Sequence, residues 1–314
     1  MTRPAPEDTR LTQPRCWSTA AAVAGMWLVA RLPRKARQGL GWLLGHLIHA
    51  AGRRRRFIAR VNIELAFPDL DERSRKRLVR QSFVSAARGM LETATAWFGP
   101  EWQMRNQVEI RGLEYLDEAI QTGRGVIMLG SHTTSIEICG RALGRIRPFH
   151  TTYKPDRNPC FERVMRARRI AIYGDAIPVT DMRRIVRTLK SGGIIWYAPD
   201  QNYGKKNSVF VPFFGIDTAT TTGTVRLARL GNAVVLPCFS VRRPDGRNLL
   251  EFQPMLEGFP GEDSRTDTAR VIARIENYMR QYPEQYLWMH SRYKDHPEGG
   301  LNRYERYRQG LPHV

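Results

Sequence analysis

The chain has 314 residues, of which 50 are Lys or Arg and 30 are Asp or Glu, so its formal net charge is +20. A hydrophobic content of 42% excludes a disordered chain, because it supplies enough apolar surface to offset the entropy lost on folding. The positive charge indicates a polyanionic partner, which could be a nucleic acid, an anionic membrane or a charged substrate. An arginine-rich surface without such a partner is the alternative. Motifs of nucleic-acid-binding proteins are absent from the sequence, so we expect no nucleic acid partner.

The cysteines are scattered along the chain at Cys16, Cys139, Cys160 and Cys238, and no two of them form a CxxC pair. Zinc-ribbon and thioredoxin-type motifs are therefore excluded, and we expect no metal site. A chain of this length does not need a disulfide scaffold. The sequence predicts a reducing compartment, with Cys139 and Cys160 buried and without a role in catalysis.

Two short apolar stretches open the chain, and basic residues follow each of them. Residues 17–30 carry no charge and precede a basic cluster, and residues 39–52 precede four consecutive arginines. Each stretch is shorter than the roughly 20 apolar residues that cross a bilayer. The pattern predicts that residues 1–56 form a membrane-anchoring segment whose helices lie in the bilayer interface. A tilted span starting near Pro14 and a buried core helix are the alternatives.

Residues 57–314 are predicted to form a second unit, with a helical lead-in over residues 57–105 and an α/β core over residues 106–314. In the core, short helices alternate with continuous apolar runs, which are typical of strands buried on both faces. This alternation predicts an α/β fold with a largely parallel central sheet flanked by helices. Ligands of such sheets bind beyond the carboxyl ends of the strands. The expected strands are residues 108–110, 126–129, 194–198, 233–239 and 248–252.

His132 and Glu137 follow directly after the apolar run at residues 126–129. Five positions apart on one helix, the two side chains would point about 140° away from each other. N-cap residue types at positions 131–134 place the helix start there, so that His132 precedes the helix and Glu137 lies in its second turn. Glu137 would then bind one imidazole nitrogen and leave the other as a general base for a hydroxyl nucleophile. A structural histidine near a glutamate is the alternative.

Further candidate residues follow other predicted strands. Asp200 ends the run at residues 194–198, where it could orient a substrate, pair with an arginine or cap a turn. The hydroxyls and amides of Thr220, Thr221 and Thr222 precede a predicted helix and could bind a phosphate, although an N-cap cluster without a ligand is the alternative. His290 is expected to be a structural histidine.

Several sequence blocks resemble the late acyltransferases of lipid A biosynthesis, the Kdo-lipid A lauroyl/myristoyltransferase type. The pair His132 and Glu137 is similar to the His-x-x-x-x-Asp/Glu motif of the glycerolipid acyltransferase superfamily, to which that family belongs. The likeness extends from about Trp27 to Tyr304. It is carried by residues 60–64 with 67–68, 130–137, 153–155 with 158–159, 196–204, 209–213, 220–224 and 283–290.

The resemblance implies an enzyme that takes an acyl chain from an acyl carrier protein thioester, without a metal, a cofactor or an acyl-enzyme. The acceptor would be the hydroxyl of a hydroxyacyl chain on a phosphorylated, Kdo-bearing lipid A precursor. His132 would remove the hydroxyl proton, Glu137 would orient His132, and Arg169 would stabilise the oxyanion. Arg166 and Arg168, in the same basic stretch, are alternatives to Arg169. The expected substrate-binding residues are Tyr153, Lys154, Arg168, Asp200, Thr221 and Thr222.

The resemblance also implies a location at the cytoplasmic face of the inner membrane. The expected partners are acyl carrier protein, the anionic lipid A precursor and the membrane itself. Two other functions stay open at this point: an acyltransferase acting on a glycerophospholipid or glycolipid, and a non-catalytic protein that binds anionic lipid or nucleic acid.

Overall fold

The computed structural model describes residues 10–311 of the chain, which contain twelve α-helices and nine β-strands. The helices are α1 (Trp17–Val29), α2 (Arg34–Ala51), α3 (Arg53–Ala66), α4 (Glu72–Phe98), α5 (Glu101–Met104), α6 (Leu113–Gln121), α7 (Ile136–Gly144), α8 (Pro159–Tyr173), α9 (Met182–Lys190), α10 (Gly223–Gly231), α11 (Ser264–Met279) and α12 (Arg303–Arg308). The strands are β1 (Val108–Arg111), β2 (Gly125–Leu129), β3 (Phe149–Tyr153), β4 (Gly174–Pro178), β5 (Ile194–Tyr197), β6 (Ser208–Phe213), β7 (Ile216–Thr221), β8 (Ala233–Arg242) and β9 (Asn248–Phe252).

Seven of the strands form one sheet in the order β1-β9-β8-β2-β5-β3-β4. The strands from β8 to β4 run parallel to one another, whereas β9 is antiparallel to β8 and pairs in parallel with β1. Strands β6 and β7 form a separate antiparallel hairpin. The predicted α/β fold with a largely parallel central sheet is confirmed.

Helices cover both faces of the sheet. On β2, Ile127 and Leu129 pack in one apolar cluster with residues of α9, α10 and α11. The alternate residues Val126 and Met128 pack on the other side with α6, α7 and α8. Because successive side chains of a strand point to opposite faces, a strand covered on both sides is apolar throughout, as this one is.

All five expected strands are present, and the helical lead-in includes α4, which begins directly after Asp71. The Asp71 carboxylate accepts a hydrogen bond from the Ser74 backbone N–H at 2.8 Å, as an N-cap does. The start predicted for α7 is wrong, because this helix begins at Ile136 and places Glu137 in its first turn. Strands β3 and β4 and the hairpin β6–β7 were not predicted.

Helices α1 and α2 pack against α4, and α2 approaches it closely at two glycines. A Cβ atom on Gly45 would lie 2.4 Å from the Cα of Val84, so this contact requires glycine. The outer surface of the two helices exposes large apolar side chains: Trp17, Trp27, Leu28, Trp42, Leu43, Leu47 and Ile48. Residues 1–9 of the predicted anchoring segment lie outside the described residues. Over residues 10–311, no helix combines the length and the apolar character needed to cross a membrane.

A disulfide bond joins Cys16, just before α1, to Cys160 in the first turn of α8. The prediction of reduced cysteines is therefore wrong for Cys16 and Cys160. It failed because packing α1 against α8 brings together two residues that are 144 positions apart in the sequence. Cys139 and Cys238 are buried free thiols.

Candidate active site

His132 and Asp200 form a hydrogen-bonded pair beyond the carboxyl ends of β2 and β5. The Nδ1 atom of His132 lies 2.7 Å from Oδ1 of Asp200, and the backbone N–H of His132 donates to Oδ2 at 2.9 Å. An ionised carboxylate only accepts hydrogen bonds, so Nδ1 carries the proton in the neutral imidazole. The Nε2 atom is then unprotonated and can act as a base.

The Asp200 carboxylate remains ionised although its side chain is completely buried. Burial alone would raise the pKa of Asp200. The neighbouring His132, its two hydrogen bonds and the charge of Arg292 outweigh burial, and the pKa lies below its ordinary value. The buried charge is thus available to stabilise an imidazolium on His132.

Glu137 binds a different set of donors. Its Oε2 atom accepts from Trp97 Nε1 at 2.8 Å and from the Tyr173 hydroxyl, and its Oε1 atom accepts from Arg169 Nε at 2.9 Å. Within residues 10–311, Glu137 has no hydrogen bond to His132. The predicted Glu137–His132 bond is therefore wrong: the later start of α7 directs this carboxylate towards α4 and α8, and Asp200 takes its place at the imidazole.

Arg169 is held in the site by Glu137. Burial of Arg169 opposes its charge, but the Glu137 carboxylate outweighs that effect and keeps the pKa of Arg169 above its ordinary value. Nε and Nη2 both donate to Glu137, whereas Nη1 donates to no residue that the structure describes. The guanidinium carbon lies 5.6 Å from the centroid of the Tyr153 ring. Arg169 therefore has a charged N–H group free to bind a ligand.

Tyr153 is a hydrogen-bond donor in this arrangement. Its hydroxyl donates to Oε1 of Glu162 at 2.6 Å. Burial and the Glu162 carboxylate raise the pKa of Tyr153 to about 12. The phenol is therefore protonated at any physiological pH.

The loop that carries His132 is anchored at three consecutive hydroxyl residues, Thr133, Thr134 and Ser135. Their hydroxyls contact Ser240 Oγ at 2.8 Å, Ser85 Oγ at 2.9 Å and Glu92 Oε2 at 3.4 Å, respectively. The backbone also passes close to α4, since a Cβ atom on Gly89 would lie 2.3 Å from the Thr134 carbonyl oxygen. These contacts fix the backbone of the three residues that follow His132.

His132, Glu137 and Arg169 all line one cavity of about 730 Å³. Apolar side chains form most of its inner wall: Phe83, Met128, Ile136, Leu143, Phe149, Met165 and Leu250. Ile48 and Met90, which are 40% and 62% exposed, line the same cavity and place its mouth on the apolar surface of α2 and α4. The geometry combines a base, a buried carboxylate and a guanidinium with an apolar space that suits an acyl chain.

Comparisons with known proteins show which family the chain belongs to. Residues 5–295 match the family model described as bacterial lipid A biosynthesis acyltransferase. The lipid A biosynthesis lauroyltransferase of Escherichia coli strain K12 is 35% identical over 300 residues, which cover 95% of this chain and 98% of the relative. The chain belongs to the bacterial lipid A biosynthesis acyltransferase family. The resemblance drawn from the sequence blocks is thereby confirmed.

Other members of the lipid A acyltransferase family match over most of their length. The palmitoleoyltransferase of Escherichia coli strain K12 is 36% identical over 293 residues, which cover 93% of this chain and 95% of the relative. The myristoyltransferase of the same strain is 27% identical over 305 residues, which cover 95% of this chain and 94% of the relative.

A search of solved structures matches the crystal structure of the 1-acyl-sn-glycerophosphate acyltransferase PlsC from Thermotoga maritima. The two chains are 16% identical, and the match covers 79% of this chain and 98% of that chain with a TM-score of 0.36.

Of the predicted substrate-binding residues, Tyr153 and Lys154 line the cavity of this lipid A acyltransferase, and the others do not contact it. Asp200 lies behind His132 and orients it. The Arg168 guanidinium lies 4.6 Å from the Phe98 ring centroid and lines a separate cleft, because neighbouring residues of α8 point about 100° apart.

Of the three threonines predicted to bind a phosphate, Thr221 and Thr222 form hydrogen bonds with neighbouring backbone groups. The Thr221 hydroxyl accepts from the Gly223 N–H at 3.1 Å, and the Thr222 hydroxyl donates to the Asn207 carbonyl at 3.4 Å. Both belong to the turn between β7 and α10, whose local hydrogen bonds they satisfy. Neither residue lines the cavity that holds His132, and their phosphate binding stays a prediction.

Arg55 and His290 are among the cavity-lining residues that were not predicted as site residues. Arg55, from the second basic cluster, donates from Nη1 to the Met289 carbonyl at 2.9 Å and lies at the rim. His290 also lines the cavity, and its Nε2 atom accepts from the Asn202 N–H at 3.1 Å. Burial lowers the pKa of His290 to about 4, so its ring is neutral and adds no positive charge to the cavity.

Proposed function

We propose that this enzyme transfers an acyl chain from an acyl carrier protein thioester to the hydroxyl of a hydroxyacyl chain on a Kdo-bearing lipid A precursor. The family membership supports the acceptor class. The observation that carries the chemistry is the His132–Asp200 pair, in which Nδ1 binds Asp200 and the His132 side chain lines the same cavity as Arg169.

In the proposed reaction, Nε2 of His132 removes the proton from the acceptor hydroxyl as its oxygen attacks the thioester carbonyl. The new C–O bond gives a tetrahedral oxyanion, which Nη1 of Arg169 stabilises by a charge-assisted hydrogen bond. The oxyanion collapses, the C–S bond breaks, and the leaving thiolate of the carrier protein takes the proton from His132. Asp200 stabilises the transient imidazolium, and Glu137 positions Arg169.

The cavity supports an acyl substrate because its inner wall is apolar. Burying each methylene group of a fatty chain contributes about 0.8 kcal/mol, so such a wall binds the chain without specific polar contacts. Lys154 and Arg55 at the cavity add positive charge near the reacting groups, which favours both an acidic carrier protein and a phosphorylated acceptor.

We further propose that the enzyme docks on the cytoplasmic face of the inner membrane through the exposed apolar side of α1 and α2. Trp17, Trp27 and Trp42 are 63%, 45% and 53% exposed on that side. Tryptophan is enriched at membrane interfaces, where its ring has both apolar and polar surroundings. A lipid acceptor could then enter the cavity directly from the bilayer between Ile48 and Met90.

The experiment that tests the proposed function is acyl transfer by the purified full-length enzyme, with the product identified by mass spectrometry. Acyl carrier protein thioester and a Kdo-bearing precursor should give one new ester, and His132→Asn should reduce its rate to near the background. Transfer of the same chain to glycerol phosphate in preference to the lipid A precursor would contradict the acceptor. Absence of any thioester consumption would contradict catalysis and favour a protein that only binds lipid.

A further inference from the structure

A second cleft, of about 670 Å³, lies between α2, α4 and the turn that joins β8 to β9. We call it the arginine cleft, because its lining includes Arg77, Arg80, Arg88, Arg242 and Arg243. Helix α4 separates it from the catalytic cavity: Ser85 and Arg88 face the arginine cleft, whereas Ala86 and Met90 face the cavity. The two spaces are therefore distinct sites on opposite sides of one helix.

The positive charge of the arginine cleft is only partly compensated. Arg242 binds the Glu92 carboxylate through Nε and Nη2 at 2.6 and 2.8 Å, and Arg243 pairs with Glu109. Arg80 and Arg88 form no hydrogen bond or ion pair with any residue that the structure describes. The acidic residue lining the cleft is Glu284, and its Oε1 atom accepts from the Gln285 side chain at 3.1 Å. Two arginines thus line this cleft without an acidic partner among the described residues.

Arg88 is the more unusual of the two, since its Nε atom is buried and lacks a hydrogen-bond partner. Its side chain packs against α2, where a Cβ atom on Gly41 would lie 2.6 Å from Cγ of Arg88. Burial and the adjacent charge of Arg242 lower the pKa of Arg88. A buried donor without an acceptor costs free energy comparable to a lost hydrogen bond, so an anion bound here would stabilise the local structure.

We infer that the arginine cleft binds the phosphate monoester of a lipid headgroup. A phosphate monoester carries three terminal oxygens and close to two negative charges, which match the planar donors of two guanidinium groups. The lipid surface as its source is indicated by Trp42, which lines the cleft, and by Leu43 and Leu47, which are exposed on the same helix. An interfacial tryptophan beside a basic cleft places the cleft at the depth of the lipid phosphates.

This inference goes beyond the proposed acyl transfer, because it concerns a second site without reacting groups. It depends on the proposed membrane docking only for the source of the phosphate. The bound phosphate would hold α2 and α4 at the bilayer and so fix the mouth of the catalytic cavity against the lipid.

The test is the affinity of the full-length protein for phosphatidylcholine vesicles with and without phosphatidic acid, at constant ionic strength. We expect the double variant Arg80→Gln/Arg88→Gln to bind phosphatidic acid vesicles about tenfold more weakly than the wild type. The matched control is Arg73→Gln, an exposed arginine in the first turn of α4 that lines neither cleft nor cavity and should change the affinity by less than about twofold. Equal affinities of the double variant and the wild type, or an equal loss in the control, would overturn the inference.

A competition experiment with inorganic phosphate distinguishes a site for free phosphate from a site that requires phosphate at a lipid surface. If inorganic phosphate displaces the wild type from phosphatidic acid vesicles but has little effect on the double variant, the cleft binds the phosphate group itself. If it does not compete, while the double variant still binds more weakly, the cleft requires the phosphate at a lipid surface. Either result supports a phosphate site. If the protein binds phosphatidylglycerol vesicles as tightly as phosphatidic acid vesicles, the inferred preference for a phosphate monoester is contradicted.

Two further measurements keep the test independent of folding and of catalysis. Arg88→Lys keeps the positive charge and the buried aliphatic stem. This variant should retain most of the affinity for phosphatidic acid vesicles, whereas the folded double variant should lose it. Arg80→Gln alone removes an exposed side chain and provides the test if Arg88→Gln unfolds the protein. Acyl transfer in detergent at saturating acceptor reports on the proposed function separately, so that loss of one activity does not imply loss of the other.

Discussion

His132 and Asp200 occupy equivalent positions on two neighbouring parallel strands. Leu129 of β2 pairs in register with Tyr197 of β5, and His132 and Asp200 each follow their paired residue by three positions. Both chains leave the sheet at the same edge, so the side chains meet at 2.7 Å without a contribution from α7. The contact between His132 and Asp200 thus follows from the position of β5 next to β2 in the sheet.

Removing the base should nearly abolish turnover. His132→Asn should lower kcat by about 10²- to 10⁴-fold, the usual contribution of a positioned general base. Asp200→Asn should also lower kcat strongly with little change in KM, because an amide cannot stabilise the imidazolium and can favour the wrong tautomer. Steady-state kinetics with the carrier thioester measure both effects. Unchanged kcat in Asp200→Asn would exclude the proposed pair.

The second testable relationship is between Glu137 and Arg169. If Glu137 acts by holding Arg169, then Glu137→Gln, Arg169→Gln and the double variant should lose about the same factor in kcat, on the order of 10- to 100-fold. A double-mutant cycle measured on kcat, with KM determined in parallel, gives the coupling. Independent losses that multiply in the double variant would show that Glu137 acts elsewhere in the reaction.

The strand-end pattern drew attention to His132 and Glu137, and the family resemblance added Arg169 with Arg166 and Arg168 as alternatives; all three of His132, Glu137 and Arg169 line one cavity, but the pattern assigned the wrong partner to the histidine. His132 and Glu137 are near in sequence, which suggested a local bond, whereas the true partner is 68 residues away. Finding it requires knowing that β5 lies next to β2, and strand order is not encoded in an apolar run. Strands β3 and β4 escaped prediction for a related reason: their sequences, FHTTY and GDAIP, do not form continuous apolar runs.

The disulfide and the arginine cleft were equally inaccessible from the sequence. Cys16 and Cys160 lie far apart in the chain, and the approach of α1 to α8 alone brings them together. Similarly, Arg80 and Arg88 look like an ordinary solvated helix face until α2 packs on α4 through Gly41 and Gly45 and buries part of that face.

Gly89 offers a test of how far the anchored loop controls the base. Gly89→Ala would force the Thr134 carbonyl away from α4, since the new Cβ atom would lie 2.3 Å from its oxygen. We expect a destabilisation of about 1–3 kcal/mol and a fall in kcat, because the shift moves the backbone next to His132. The matched control is Gly39→Ala on α2, where a Cβ atom meets nothing within 4 Å.

Gly39→Ala should be neutral or stabilising by about 0.5–1 kcal/mol through helix propensity, with normal kcat. Thermal unfolding and steady-state kinetics on both variants separate the loop effect from a general effect of adding a methyl group to a helix. Normal kcat in a folded Gly89→Ala variant would show that the Thr134 contact does not position the imidazole.

His290 should make the stability of the enzyme pH-dependent on the acid side. Burial lowers its pKa to about 4 in the folded state, against 6.5 for an unperturbed histidine. Between these two values the unfolded chain binds a proton that the folded protein does not, so stability falls as the pH drops from 6.5 towards 4, by at most about 1.4 kcal/mol per pH unit. His290→Gln keeps an acceptor for the Asn202 N–H and removes the titration. The free energy of unfolding of this variant, measured across that range, should therefore fall less steeply than that of the wild type. Parallel curves for the two proteins would show that His290 is not buried as a neutral ring.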